Sequence, residues 1–168
     1  METIVNKVAQ SGLITFNLEE YYDKNERVIF DIKDCLFMGL ILKEKDFREF
    51  IKTNDWEKYR NKNVAITCTA DAIVPTWAYM LIAAKLSGNA NYYAFGNLEN
   101  LENSLFQKAL SNVDVELFRN KKMVIKGCSN LPVPINAYVE ISRLLLPVAA
   151  SIMYGEPCST VPIFKNKI

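Results

Sequence analysis

The sequence predicts a three-layer α/β domain with a largely parallel sheet, helices on both faces and an N-terminal antiparallel strand pair. Strand-like and helix-like stretches alternate from Asn63 onward, a pattern typical of parallel strands joined by helices. Nearer the start, Arg27–Ile32 alternates apolar and polar residues, and Lys33-Asp34 separates it from the apolar run Leu36–Leu42. We expect these two runs to form the antiparallel pair.

The other elements follow in chain order. Asp46 and Glu49 have the spacing of a capping box, which predicts a helix running toward Tyr59. Pro75 suits the first turn of a second helix, and Ser87-Gly88 suits its end. Further strands are expected at 63–69, 91–95 and 121–127, and further helices at 98–113 and 134–154.

Two prolines restrict the C-terminal part of the chain. Pro147 lies inside the predicted helix 134–154, so that helix should be bent or split. Pro162 lies in the run Val161–Phe164, which therefore predicts an edge strand or an extended tail rather than a central strand.

Length and composition indicate one domain covering residues 1–168, with enough apolar residues to form one core. The net charge of +1 argues against a nucleic-acid partner. The longest nearly uninterrupted apolar run, Ala72–Ala84, contains Pro75 and is too short to span a bilayer, so no membrane association is expected. The N-terminus lacks the pattern of a secretory signal, which predicts a cytoplasmic protein with reduced thiols.

Three of the four cysteines precede a Val-Pro step. Cys68 and Cys128 follow predicted strands, and both are followed by the sequence V-P-x-x-A-Y; Cys158 precedes Val161-Pro162 without a helix behind it. In a single parallel sheet the carboxyl ends of the strands share one edge, where ligands usually bind. We therefore expect Cys68 and Cys128 to lie at one edge, with Cys158 returned to them by the chain after Pro147, and a small-molecule ligand is compatible with that location.

Convergence of the three thiolates would create a metal site for zinc or an iron–sulfur cluster. Because the chain has no histidine, the remaining ligand position is left to Asp71, Glu156, Tyr79, Tyr138 or water. Asp71 and Glu156 each lie within three residues of a cysteine, and either carboxylate could complete the site or act as the base beside a metal-bound water. The leading hypothesis is a metal-binding protein, with metal-dependent hydrolysis as its enzymatic form.

Two alternatives remain open. Free cysteine often packs as a small hydrophobe, which would leave a non-enzymatic interaction or scaffold protein with structural cysteines. Cys158 could instead be the nucleophile of a thiol-dependent enzyme with a carboxylate base. Cys35 lies in a strand-like run and is expected to pack in the core or the sheet. No glycine-rich phosphate loop is present.

Five segments resemble a family of small bacterial proteins known as domain of unknown function 2480. They are Leu18–Tyr22, Lys45–Phe50, Cys68–Tyr79, Val124–Cys128 and Gly155–Pro162. The resemblance extends over nearly the whole chain and implies a single bacterial cytoplasmic domain. It implies no activity and no catalytic residues.

Overall fold

The computed structural model describes residues 12–127 and 130–167, and the mixed α/β fold is confirmed within them. Four α-helices lie in this part of the chain: α1 Glu44–Thr53, α2 Thr76–Leu86, α3 Leu98–Ser111 and α4 Ile135–Leu145. Its strands are β1 Leu13–Asn17, β2 Arg27–Asp31, β3 Asn63–Thr67, β4 Tyr92–Phe95, β5 Lys122–Lys126, β6 Ser151–Glu156 and β7 Ser159–Lys165.

The chain forms two compact units. The central unit is Lys24–Leu105, and the terminal unit combines Met1–Asp23 with Phe106–Ile168. Each unit has its own sheet, so the described residues form two largely parallel sheets where the sequence suggested one.

The central sheet has the strand order β2-β3-β4, and all its pairs are parallel. Val64 and Ile66 of β3 belong to a core that includes α1 and α2 residues, such as Phe47 and Ile82. Ala65 points to the opposite face and packs with α3 residues. Helices therefore cover both faces of this sheet, as the sequence predicted.

The terminal sheet has the order β1-β5-β6-β7, in which β7 is antiparallel to β6 and the other pairs are parallel. Its core includes Met123 and Ile125 of β5 together with α4 residues such as Ile141. The predicted C-terminal edge strand is confirmed as β7. Pro162, which has no amide donor, pairs with Met153 beside an irregularity in the β6–β7 register.

The two units repeat one structural plan at a spacing of 59 residues. Asn63 of β3 pairs with Tyr92, and Lys122 of β5 pairs with Ser151, so both strand pairs have the same register. Asn61 and Asn120 have matching φ angles of 56° and 59°. Further matched pairs are Tyr59/Phe118, Pro75/Pro134, Ala78/Ala137, Tyr79/Tyr138, Ile82/Ile141 and Gly96/Gly155.

The repeat also extends to the first strand of each unit. Asn17 ends β1 and accepts a hydrogen bond from the Glu19 amide at 3.1 Å. Asp31 ends β2 and accepts one from the Lys33 amide at 3.0 Å. Each residue caps a short 3₁₀ helix, and the central unit is thus inserted after the first strand of the terminal unit.

The predicted N-terminal antiparallel pair is not confirmed. Arg27–Asp31 pairs in parallel with β3, and Leu36–Leu42 is not a strand of either sheet. The physical reason is the Asp31 cap, which turns the chain into the 3₁₀ helix Ile32–Cys35 where the sequence suggested a hairpin turn.

Two predicted helices have different boundaries. The capping box at Asp46 is wrong, because α1 already begins at Glu44. The helix predicted over 134–154 ends at Leu145, before Pro147, and the chain then enters β6. Pro147 therefore ends the helix, since its ring and missing amide cannot continue the hydrogen-bond pattern.

Within the ranges 12–127 and 130–167, no helix is long and apolar enough to cross a membrane.

Candidate functional site

The predicted shared edge for Cys68 and Cys128 is wrong. Cys68 follows β3 of the central sheet, whereas Cys128 comes after β5 of the terminal sheet, and Cys128 itself lies outside the described residues. In the 59-residue repeat, Cys68 corresponds to Gly127, and Cys128 corresponds to Thr69. The two cysteines are therefore one residue out of step, although the V-P-x-x-A-Y motifs align.

Cys68 is half-buried against the core of the central unit. Its Sγ donates a weak hydrogen bond to the Ala70 carbonyl at 3.7 Å. Burial raises the pKa of the Tyr79 phenol, and the nearby Cys68 and Asp31 raise it further. Cys68 and Tyr79 are therefore neighbours, so the two ends of the segment Cys68–Tyr79 lie close together within the central unit.

Asp31 joins the carboxyl ends of β2 and β3. Its carboxylate accepts hydrogen bonds from the Thr69 amide at 3.1 Å and from the Thr69 hydroxyl at 2.5 Å. Burial alone would raise the pKa of Asp31, but the hydrogen bonds from Thr69 and Lys33 outweigh it, so the pKa lies below its ordinary value. Asp31 is thus held as an anion by neighbouring donors.

Cys35 also packs against the central core, as the sequence predicted. Burial raises its pKa to about 11, and the negative charges of Asp34 and Asp31 add to this effect. A thiol with such a pKa remains protonated at neutral pH and is a poor nucleophile and a poor metal ligand.

The predicted carboxylates and the last cysteine have surface positions. Asp71 is exposed in the loop between β3 and α2. Glu156 ends β6 and forms an ion pair with Lys126 at 3.1 Å. Cys158 is exposed in the β6–β7 turn. Solvent therefore competes with a metal for Asp71 and Cys158, and Lys126 competes with it for Glu156.

Across residues 12–127 and 130–167, no group of three or more His, Cys, Asp or Glu side chains has an arrangement that could hold a metal ion. The donors in these ranges therefore do not fit zinc or an iron–sulfur cluster, which needs at least three converging protein ligands.

An apolar hollow of about 430 Å³ lies in the terminal unit. This volume falls within the range of small-molecule pockets. The hollow lies between β5, β6, β7 and the first turns of α4. It is lined by Ile125, Val133, Ile135, Tyr138, Ser142, Ile152, Met153, Tyr154 and Ile163.

The rim of the hollow is at the protein surface. Ile135 exposes 81% of its area, Ile163 exposes 56% and Tyr154 exposes 45%. Ile125, on the inner wall, is buried. An entering molecule would therefore exchange water for apolar side chains without a large opening of the fold.

Two tyrosines and Ser142 supply the polar groups of the hollow. The Tyr138 and Tyr154 rings meet edge to face, with centroids 5.9 Å apart. A Cβ atom added to Gly127 would lie 2.7 Å from the Tyr138 hydroxyl. Gly127 thus leaves space for this hydroxyl, whereas the corresponding residue of the central unit is Cys68.

The lining of the hollow carries no formal charge. None of its nine side chains is an Asp, Glu, Lys or Arg. The hollow is consequently suited to a neutral molecule, because a charged one would lose hydration without gaining a partner.

Sequence reasoning missed the hollow because it assigned Met153 and Tyr154 to a helix, whereas they form β6. One signal was present: the second V-P-x-x-A-Y motif follows Gly127, and the first follows Cys68. Alignment of the two motifs by their prolines matches Gly127 with Cys68, and it would have drawn attention to the smaller residue ahead of the second motif.

The fold and the hollow define an α/β protein of two repeated units, one of which has a ligand-sized apolar hollow between its sheet and α4. The chain belongs to the family described as "Protein of unknown function (DUF2480)", which it matches over residues 2–166. This match confirms the family resemblance seen in the sequence. Comparison with curated proteins and with solved structures gave no match.

Proposed function

We propose that this protein binds a small, neutral, apolar molecule in the hollow of the terminal unit. The observation that supports the proposal is the lining of the hollow, which lies between α4 and the strands β5, β6 and β7 and combines apolar side chains with a few hydroxyl groups. A concave, mostly apolar pocket with a small number of polar groups is the usual form of a small-molecule site.

The lining favours a flat or short-chain apolar compound. The tyrosine rings offer edge-to-face contact with an aromatic group. The Ser142 hydroxyl donates to the Tyr138 carbonyl at 2.7 Å within α4, so its oxygen retains acceptor capacity toward a ligand hydroxyl or amide. The ligand class is thus apolar with at most one or two neutral polar groups.

The test is fluorescence titration with N-phenyl-1-naphthylamine, a neutral apolar probe. The wild-type protein should bind it saturably at one site. Ser142→Leu fills part of the hollow from the middle of α4, and we expect it to weaken binding about tenfold, or about 1.4 kcal/mol. Binding would be measured beside a thermal unfolding curve, to show that the variant is folded.

The repeat supplies a matched control. Ala83 is the counterpart of Ser142 in the central unit, and Ala83→Leu adds apolar volume at the same point of the repeated plan. This variant should bind the probe like the wild type. Lack of saturable binding by the wild type, or equal loss in both variants, would reject the proposal.

The three-cysteine metal site remains a second proposal, and no observation on the described residues favours it. It requires Cys68, Cys128 and Cys158 to share zinc or an iron–sulfur cluster, with Asp71 or Glu156 as a further ligand or base. Elemental analysis of protein purified without chelator tests it, together with Cys68→Ala, Cys128→Ala and Cys158→Ala. Stoichiometric metal that is lost in every variant would support it, and wild-type protein without metal would reject it.

The other sequence-based alternatives concern individual cysteines. They assume the cytoplasmic, reducing location that the sequence predicts. Packing of Cys68 and Cys35 against the central core supports structural roles for these two. The exposure of Cys158 leaves thiol chemistry as a proposal for that residue alone. Cys158→Ser should abolish a thiol-dependent activity and should leave probe binding in the hollow unchanged.

A further inference from the structure

The central unit presents an apolar patch made of Phe37, Met38, Leu40, Ile41 and Ile73. Phe37 and Ile41 form an antiparallel bridge, and Ile41 forms a parallel bridge with Ile73. Residues bridged in this way lie side by side, so the patch is continuous. Leu42, the next residue along the chain, is buried and anchors the hairpin to the core.

The patch is strongly exposed. Met38 exposes 78% of its area and Ile73 exposes 93%, and the other three members also rank among the exposed large hydrophobic residues. Side chains of these sizes together present on the order of 600 Å² of apolar surface, the upper end of what a soluble monomer usually shows.

The backbone of the hairpin presents these side chains outward. Met38 and Gly39 have φ angles of 53° and 71°, and a non-glycine residue at positive φ is uncommon. The turn is closed by hydrogen bonds from the Leu40 and Ile41 amides to the Phe37 carbonyl. The unit thus holds a large apolar side chain at the tip of a defined turn, in a conformation that costs free energy.

We propose that this patch is the interface of a twofold-symmetric homodimer. In such a dimer the same surface meets itself. About 600 Å² from apolar side chains on each copy, with the rim added, reaches the size of a standard stable interface.

The charges around the patch favour a second copy over an anionic membrane. The charged residues next to the patch along the chain have both signs: Lys33, Lys43 and Lys45 are basic, and Asp34, Glu44, Asp46 and Asp71 are acidic. A rim with both signs can pair with itself across a twofold axis, whereas attraction to anionic lipid requires a basic cluster. Lys43 also lies over the Phe37 ring, with its Nζ 3.4 Å from the ring centroid, so this charge stays at the edge of the apolar surface.

Sedimentation velocity over a low to high micromolar range tests the proposal. The wild-type chain should approach twice its monomer mass of 19.2 kDa, and Met38→Asp/Ile73→Asp should remain a monomer. Leu117→Asp is the matched control, because Leu117 is 68% exposed in the 3₁₀ helix Val115–Phe118, outside the patch. It should dimerise like the wild type.

Hydrogen exchange of the wild-type peptide 36–42 gives a second measurement that needs no folded variant. Its exchange should slow as the protein concentration rises. A wild-type monomer at all concentrations, a dimer unaffected by the double substitution, or binding to anionic vesicles without self-association would overturn the proposal.

Discussion

At the scale of single residues, Gly127 occupies a position where a side chain would collide with a residue of the candidate site. Its missing side chain makes room for the Tyr138 hydroxyl, which is also part of the hollow. In the central unit the matched pair is Cys68 and Tyr79, and Cys68 packs in the core. One position of the repeat thus accommodates a tyrosine hydroxyl in one unit and a thiol in the other.

We expect Gly127→Ala to lower the free energy of unfolding by about 1–3 kcal/mol, because its methyl group would overlap the Tyr138 hydroxyl. Tyr138→Phe in the same chain should remove most of that loss. The measurement is urea unfolding of both single variants and the double variant. Gly88→Ala serves as the control, since its Cβ would meet nothing within 4 Å; a Gly127→Ala effect no larger than this control would contradict the argument.

Thiol reactivity should separate the exposed Cys158 from the half-buried Cys35. Cys35, with a pKa of about 11, is about one thousandth ionised at pH 8 and should react slowly with iodoacetamide. Exposed Cys158 should be alkylated first. Peptide mapping by mass spectrometry after timed labelling of the native protein measures both rates, and equal rates would contradict the burial of Cys35.

At the scale of elements, the ends of β2 and β3 are joined by a charged contact. Asp31 caps the 3₁₀ helix after β2 and accepts from both the amide and the hydroxyl of Thr69 after β3. Two neighbouring parallel strands are thereby linked at their carboxyl ends.

This contact should make stability depend on acid pH. The pKa of Asp31 is lower in the folded chain than its ordinary value, so its contribution is full above about pH 4 and is lost as the pH falls through the folded pKa. Asp31→Asn should therefore lose less stability than the wild type between about pH 5 and about pH 3.

Urea midpoints across that range give the measurement, with Asp71→Asn as the control for an exposed carboxylate. If Asp31→Asn and the wild type had the same pH slope, the carboxylate would not be stabilised as the hydrogen bonds indicate.

At the scale of the whole molecule, α3 is the element that belongs to both units. Leu101 and Leu105 pack with the central sheet residue Ala65. Phe106 and Leu110, further along the same helix, belong to the core of the terminal unit. The boundary between the units falls inside this helix, at residues 105 and 106.

We expect both units to unfold in one cooperative transition, because unfolding either one removes the packing of half of α3. Both tryptophans, Trp56 and Trp77, lie in the central unit, so their fluorescence reports on it alone, whereas far-UV circular dichroism reports on the whole chain. Coincident urea curves are expected. Separate midpoints would show two independent domains and would also reject the single-domain prediction made from the sequence.

Local patterns predicted the elements that depend on neighbouring residues. The strand at 63–69 was correct because Val64, Ala65 and Ile66 form a short apolar run buried on both faces of a parallel sheet. The helix beginning near Pro75 was correct because proline at a helix start needs no amide donor. The strand β6 was missed because a short apolar run next to a helix has no distinct period.

The sequence by itself determined the α/β class, the edge position of β7 and membership of the family. The first two follow from interactions within a few residues, such as an apolar run that must be buried or a proline that lacks an amide. Only the tertiary structure decided that β3 and β5 lie in different sheets, since strand pairing joins residues far apart in the chain. That pairing left Cys68 and Cys128 without a common sheet edge, and it placed β5 beside β6, which follows it in the chain only after α4, to form the wall of the apolar hollow.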